Sequence, residues 1–227
     1  MKWFRTEGRR AFLFKNGGFS LVEILIVAVL LAILVALAIP VVRSGLTWAQ
    51  RAKSVAQLRQ IGMAMSLYSG DHEGRFVGPL WPGQVMEFDP ARPGRLVGEL
   101  AAYLAIRANS AHVVEEMIPR ALRRSLPGVA GKDIRVYVMN MAVPVDAGTT
   151  NVWGSLAASP PTSPLLRSAL EKKLTRTWAM SEAYQTHHAV VSAPWKMNTG
   201  PQPLFGRQPL ALFFDGGVGI CDPAAVP

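Results

Sequence analysis

The chain has 227 residues, of which 50% are hydrophobic and 17% are charged, and its formal net charge is +9. This length suffices for one small domain with its own core. The single cysteine, Cys221, excludes an intrachain disulfide. Beyond residue 18 the basic residues are scattered rather than interleaved with aromatic residues, so the composition does not indicate a nucleic-acid interface.

The N-terminal segment combines a basic leader with a long apolar run. Residues 1–18 carry five basic residues against one acid, and the run from Ile24 to Val42 contains no charged residue. As a helix that rises about 1.5 Å per residue, this run is long enough to cross the hydrocarbon core of a bilayer. The positive charge ahead of it predicts a cytoplasmic N-terminus and a C-terminal part on the other side of the membrane.

A small-residue cleavage site lies before this run. Secretory signals place such a site after their apolar region, whereas Gly17-Gly18-Phe19 precedes the run here. Cleavage between Gly18 and Phe19 would therefore leave the apolar helix on the mature chain as its new N-terminus.

The basic leader, Gly18, Phe19, Glu23 and Pro40 together resemble the class III signal of type IV pilins and of the pseudopilins of type II secretion systems. The resemblance implies that a membrane-embedded prepilin peptidase removes the leader and N-methylates Phe19. It also implies an α+β, pilin-like fold, in which a long N-terminal helix packs on a small antiparallel sheet. The corresponding parts are a leader at 1–18, a transmembrane or filament-core helix at 19–43, its amphipathic continuation at 44–70 and a globular outer domain at 71–227.

Glu23 is a candidate assembly residue, because a carboxylate at the edge of hydrocarbon is costly unless it is paired. Cleavage would create a positive α-amine on Phe19, with which Glu23 of a neighbouring subunit can pair and so set the axial register of a filament. The alternative is that Glu23 only snorkels to the membrane interface.

Pro40 is the second candidate assembly residue, because it lies inside the apolar run. There it removes one backbone hydrogen bond and favours a kink. The resemblance implies a bend that lets subunits repack between bilayer and filament. A merely tolerated kink is the alternative.

From Leu46 the pattern becomes amphipathic, which predicts that the helix continues with one face against a globular domain and ends near Ser69-Gly70. Alternating β-branched and aromatic residues predict a strand at 134–141, and a second strand is predicted at 175–183. Two apolar runs around Asp215-Gly216 predict a C-terminal hairpin. Helices are predicted at 97–108, at 111–125 with an interruption at Pro119, and at 165–173, and loops are predicted at 77–98 and 142–164.

Few residues suggest a metal site or an enzyme. Neighbouring side chains rarely converge on one ion, so Asp71-His72-Glu73 is interpreted as a solvated turn, and His187-His188 as a surface pair or one satisfied core histidine. Asp215 is explained by its turn, with calcium binding as the weaker alternative, and no other cofactor is predicted. No catalytic triad order, phosphate loop or zinc spacing stands out, so we do not expect an enzyme. Cys221 is expected to be partly buried on a strand rather than reactive.

These patterns favour a structural filament subunit. The resemblance implies as partners other pilins, the prepilin peptidase, an inner-membrane assembly platform with its ATPase, and membrane lipid. It places the chain in the bacterial inner membrane as a single-pass protein with a periplasmic outer domain, and after assembly in a periplasmic or cell-surface filament. Many pilins of the resembling family close a C-terminal loop with a disulfide, which the single cysteine excludes here, and the segment after the helix resembles that of pseudopilins. The resemblance therefore favours a pseudopilin over a pilus subunit. The alternative is a permanently anchored binding or sensor protein with an uncleaved signal anchor.

Overall fold

The computed structural model describes residues 20–145, 148–170 and 177–221. Within them, one long helix, α1, is followed by two short helices and nine short strands. The helices are α1 (Leu21–Asp71), α2 (Leu96–Glu99) and α3 (Arg120–Ser125). The strands are β1 (Gly83–Val85), β2 (Glu87–Phe88), β3 (His112–Val113), β4 (Arg135–Met139), β5 (Val143–Val145), β6 (Gly148–Thr150), β7 (Trp178–Glu182), β8 (Leu210–Phe213) and β9 (Val218–Ile220).

The chain divides into two units, residues 1–46 and residues 47–227, with the boundary inside α1. The described part of the first unit is helical from Leu21 onward, and all of its residues are exposed. The second unit contains the C-terminal part of α1, the sheets and the hydrophobic core.

In the second unit, one face of α1 packs on the domain. Its buried residues recur at steps of three and four, and Leu58 and Ile61 have no exposed surface. Gly62 lies so close to β8 that a Cβ atom there would stand 2.8 Å from Leu212 Cδ1. A long N-terminal helix packed on a small antiparallel sheet confirms the predicted α+β, pilin-like layout.

The main sheet has five antiparallel strands in the order β1-β4-β7-β8-β9. Strands β4 and β7 confirm the two strands predicted from the sequence, and β8 with β9 confirms the predicted hairpin. All five residues of β7 and four of the five residues of β4 are buried, so these strands form the centre of the core.

Several predictions for the connecting segments are wrong. The predicted loop at 77–98 contains β1, which forms the sheet edge by pairing Gly83 with Val138 and Gln84 with Tyr137. The predicted loop at 142–164 contains the β5–β6 hairpin. The predicted helix at 97–108 is reduced to α2, and that at 111–125 to α3, which begins after Pro119. These elements are three to six residues long, and tertiary contacts rather than local pattern decide such short pieces.

Two predicted ends also shift. Helix α1 ends at Asp71, where Glu73 and Gly74 take positive φ angles of 55° and 78°, and the Gly74 N–H donates to the Ser69 carbonyl at 2.8 Å. These two residues, rather than Gly70, form its C-terminal cap. A 3₁₀ turn at Arg167–Leu170 replaces the start of the helix predicted at 165–173, while residues 171–173 lie outside the described part.

Candidate processing and assembly site

The start of α1 positions Glu23. Ser20 precedes the first helical residue, and its backbone N–H donates to Glu23 Oε2 at 3.2 Å. A serine followed three residues later by a glutamate has the spacing of a capping box, and this bond is one of its two halves. The carboxylate is therefore directed back towards the N-terminus of the helix, where the helix dipole also favours negative charge. The Ser-Leu-Val-Glu spacing carries a signal for this local role, which was not predicted from the sequence.

The residues that follow present apolar side chains on every side of the helix. From Leu21 to Val42 the large hydrophobic side chains remain 48–82% exposed. Among the described helices, α1 is the one whose length and composition allow it to cross a membrane, and none of its most apolar window is buried. An uninterrupted apolar surface of this kind is unfavourable in water, so lipid or other helices must cover it.

Pro40 lies inside α1, and the helix continues on both sides of it. Because proline has no backbone N–H, it cannot donate the bond that the Ala36 carbonyl would otherwise accept. The role of Pro40 in repacking stays a prediction.

Residues 13–39 match the family model of the prokaryotic N-terminal methylation motif. The chain carries a prepilin-type signal. This is the signal of type IV pilins and pseudopilins, and it confirms the resemblance seen in the sequence. The match covers Gly18, Phe19 and Glu23 and ends one residue before Pro40. Gly18 and Phe19 lie outside the described residues, and the individual roles of all four residues stay predictions.

No curated protein and no solved structure matches the chain. The prepilin-type signal supports a type IV pilin-like or pseudopilin precursor. Together with a long apolar helix near the N-terminus, it fits a filament-forming protein anchored in the inner membrane. The same signal favours a structural subunit over an enzyme, and in general it implies assembly with other pilins and recognition by the prepilin peptidase.

Asp215 lies in the turn between β8 and β9. Its Oδ1 atom accepts a hydrogen bond from the Gly217 N–H at 2.8 Å, while Gly216 takes a φ of 86°, which glycine adopts without strain. The turn therefore uses this carboxylate directly. Within the described part of the chain, no group of three histidine, cysteine or acidic residues could hold a metal ion, and calcium binding at Asp215 stays a prediction.

The segment after α1 directs its polar groups apart. Asp71 Oδ2 accepts a hydrogen bond from the Tyr103 hydroxyl at 2.9 Å, and His72 Nδ1 lies 2.8 Å from the Tyr68 carbonyl oxygen. The exposed Glu73 supplies the left-handed cap instead. These three residues therefore form a helix end rather than a shared ligand set.

His187 confirms the prediction of a satisfied core histidine. It is fully buried, and its Nε2 lies 2.9 Å from the Ser181 hydroxyl oxygen. Its Nδ1 accepts the Ala189 N–H at 3.1 Å, so Nε2 must carry the ring proton and donate to the serine. Burial lowers the pKa of His187 to about 3. A ring that donates to the hydroxyl cannot remove its proton, so this pair is structural.

Cys221 follows β9 directly, so it lies one residue beyond the strand on which it was expected. It is half-buried, as predicted, and its backbone N–H donates to the Pro209 carbonyl at 3.2 Å. This bond extends the pairing of β8 with β9 by one residue beyond the strands.

A buried carboxylate on β7 was missed from the sequence. Glu182 is 4% exposed, and its Oε2 accepts the Leu210 N–H at 3.4 Å. Burial raises the pKa of Glu182 to about 7, although backbone hydrogen bonds and the charge of Arg51 on α1 act in the opposite direction. Tyr137 pairs with it across the sheet, and burial raises the pKa of that phenol as well. The only sequence signal is an acid at the end of an apolar strand.

Proposed function

We propose that the chain is a structural subunit of a type IV pilus-like or type II secretion pseudopilus filament, assembled through its N-terminal helix. The observation that carries the proposal is the coincidence of the methylation motif at residues 13–39 with a helix whose apolar side chains are exposed all round. A fixed anchor needs an apolar helix, but it does not need a peptidase signal ahead of it.

In this proposal the prepilin peptidase cuts after Gly18 and methylates Phe19, and the helix waits in the inner membrane. An assembly platform with its ATPase then moves subunits into the filament, where neighbouring helices replace lipid around the apolar surface. Lipid tails are as apolar as leucine, so this exchange has little hydrophobic driving force of its own. Close packing and polar contacts must therefore select the register.

Glu23 is the polar group available for that selection. From Ile24 to Val42 no other charged residue occurs. A carboxylate can accept hydrogen bonds through both of its oxygens. Capping of Ser20 through Oε2 is therefore compatible with pairing of Oε1 to the Phe19 amine of a neighbour. In a low-dielectric filament core, loss of one partner would leave the other charge buried and unpaired, which is strongly unfavourable.

Two substitutions at Glu23 separate capping from charge pairing. Glu23→Gln keeps an oxygen that can accept the Ser20 N–H but removes the charge, whereas Glu23→Ala removes both. We expect normal cleavage and at least tenfold less filament incorporation for both variants, measured by cross-linking and by quantifying subunits in the filament fraction. Glu116→Gln, at an exposed acid outside the motif, is the matched control and should assemble normally. Wild-type assembly of Glu23→Gln would contradict the pairing.

Processing is tested separately by intact mass and N-terminal sequencing of the protein from its native membrane. We expect a chain that begins at methylated Phe19, and a Gly18→Ala variant that is poorly cleaved. A chain that still begins at Met1 in cells with an active prepilin peptidase would instead support the permanently anchored sensor.

A further inference from the structure

A cleft of about 420 Å³ opens on the second unit, between β1, the loop before α2 and the start of β4. We propose that this cleft binds a small organic carboxylate whose body presents a flat ring face. The cleft, called here the tryptophan cleft, is lined chiefly by Trp81, Pro82, Pro93, Arg95, Arg135 and Trp195.

The first wall holds Trp81 in a fixed position. Its indole Nε1 donates to the Pro93 carbonyl at 3.1 Å, and its backbone N–H donates to the Gly94 carbonyl at 3.0 Å. Gly94 has a φ of +82°, and a Cβ atom there would lie 2.8 Å from the Trp81 ring. Trp81 nevertheless remains 44% exposed. The ring is thus secured at its edge while much of its surface is open to solvent.

A buried amide joins the segments that form this wall. Gln84 is 1% exposed, and its Nε2 donates to the carbonyls of Trp81 at 2.5 Å and of Gly94 at 3.3 Å. Its Oε1 accepts the Leu96 N–H at 2.7 Å. Since one buried side chain fixes three backbone positions, the wall is formed before any ligand arrives, which lowers the entropic cost of binding.

The opposite wall carries Trp195 and Arg135. Trp195 packs directly on Gly83, where a Cβ atom would lie 2.7 Å from the indole Cζ2. The Arg135 guanidinium carbon lies 5.7 Å from the centre of the Trp195 ring, and Nη1 donates to the Gly83 carbonyl at 2.8 Å. The cation is therefore oriented by a ring and a backbone oxygen, neither of which neutralises it.

The charged residues of the lining are arginines, and one of the three has no ion-pair partner among the described residues. Three arginines and no acidic residue line the cleft. Arg95 forms an ion pair with Glu87, and Arg92 forms one with Asp89 at 3.3 Å. Within the described residues Arg135 has no carboxylate at ion-pair distance, and its buried Nε lacks a hydrogen-bond partner. Burial, and then the charge of Arg95, lower the pKa of Arg135, while the charge of Asp133 acts in the opposite direction. An anion in the cleft would relieve both effects.

These features select the ligand class. A carboxylate matches the planar fork of a guanidinium and forms charge-assisted hydrogen bonds with it. The indole and proline surfaces suit a flat ring with few polar groups on one face. The volume is that of a small-molecule site. Two sources share this chemistry: an acidic sugar such as a uronate, and an aromatic acid.

The test measures binding to the full chain in detergent micelles by calorimetry. The probes are galacturonate and indole-3-acetate, each with a neutral counterpart, galactose and indole-3-acetamide. We expect at least one acid to bind, and at least tenfold more tightly than its neutral counterpart, since charge-assisted hydrogen bonds are the stronger kind. The acid that binds shows whether the ligand is an acidic sugar or an aromatic acid. Failure of both acids to bind at millimolar concentration, or equal binding of acid and neutral probes, would overturn the proposal.

Variants locate the site. Arg135→Gln should weaken acid binding at least tenfold and leave the neutral probe unchanged, whereas Arg124→Gln, at an exposed arginine of α3, should bind as wild type. If circular dichroism shows that Arg135→Gln does not fold, Arg92→Gln and Trp81→Ala are measured instead. The Arg92 and Trp81 side chains are substantially exposed, so their replacement should leave the fold intact. We expect several-fold weaker binding for each. Wild-type affinity in the folded variants would refute the site.

Discussion

Glu182→Gln should stabilise the outer domain at pH 8 and have much less effect at pH 5. The folded protein holds the proton of Glu182 up to a pKa of about 7, whereas an ordinary glutamate has a pKa near 4.5. The native state therefore binds the proton more tightly than the unfolded state does. The stabilising effect of this bound proton is complete below pH 4.5 and is lost as the pH rises towards 7. Glutamine mimics the protonated carboxyl at every pH.

The size of the effect follows from this difference in pKa. Relative to a carboxyl that stays protonated in both states, titration of Glu182 lowers the free energy of unfolding by about 3 kcal/mol at pH 8 and by about 1 kcal/mol at pH 5. The variant should therefore gain about 2 kcal/mol more over wild type at pH 8 than at pH 5. Any constant cost of placing an amide beside Leu210 cancels in this comparison.

Because of His187, the pH dependence of wild-type stability alone does not report on Glu182. Its pKa falls from 6.5 to about 3 on folding, so its contribution to stability is lost as the pH falls below 6.5. Between pH 8 and pH 5 this loss amounts to about 2 kcal/mol and opposes the gain from Glu182. Burial lowers the pKa of His188 as well, and its titration acts in the same direction as that of His187. The difference between wild type and variant, in which the histidine contributions cancel, therefore isolates Glu182.

The assay is urea unfolding of the full chain in detergent at both pH values, followed by near-UV circular dichroism. Glu116→Gln, at an exposed glutamate, is the matched control, and its stability should stay within about 0.5 kcal/mol of wild type at both pH values. A Glu182→Gln effect of the same size at pH 5 and pH 8 would refute the assignment of a buried, protonated carboxyl.

Two further predictions concern packing and the C-terminal turn. Ile61→Ala, at a side chain with no exposed surface, should lower the free energy of unfolding by about 2–5 kcal/mol. Met63→Ala, on the same helix but 62% exposed, should change it by less than about 0.5 kcal/mol, and equal losses would contradict the packing of α1. For Asp215→Asn we expect an unfolding temperature near that of wild type, with or without calcium, because asparagine keeps an acceptor for Gly217. A calcium-dependent rise that the variant abolishes would instead indicate an ion site.

The sequence predicts α1 and its signal well because both are local. A run without charges from Ile24 to Val42 needs no partner to be recognised as an apolar helix, and Gly18, Phe19 and Glu23 lie within six positions of one another. Strand β4 and the β8–β9 hairpin are also predicted, since β-branched runs and an Asp-Gly turn carry their own signal.

The outer domain is harder because its decisive contacts are distant in sequence. Gly83-Gln84 has no strand pattern, and β4, about fifty residues later, makes it a strand. Likewise, an isolated glutamate or arginine is expected to be solvated. Only the fold buries Glu182 beside β8 and places Arg135 beside Trp195. The buried carboxylate and the tryptophan cleft could therefore be recognised only from the structure.

The two parts of α1 differ in what can cover them. From Ser54 onward the buried residues form one stripe, which its own domain covers. From Ile24 to Val42 the helix is apolar all round, a pattern typical of a membrane span or of the centre of a helical assembly. Lipid and neighbouring helices cover this surface almost equally well. The apolar residues therefore stabilise the helix both in the membrane and in a filament, and do not discriminate between the two. In the proposed function this choice falls to Glu23, the one charged group at the start of the helix. The substitution that keeps the cap of Glu23 but removes its charge is therefore the decisive test of assembly.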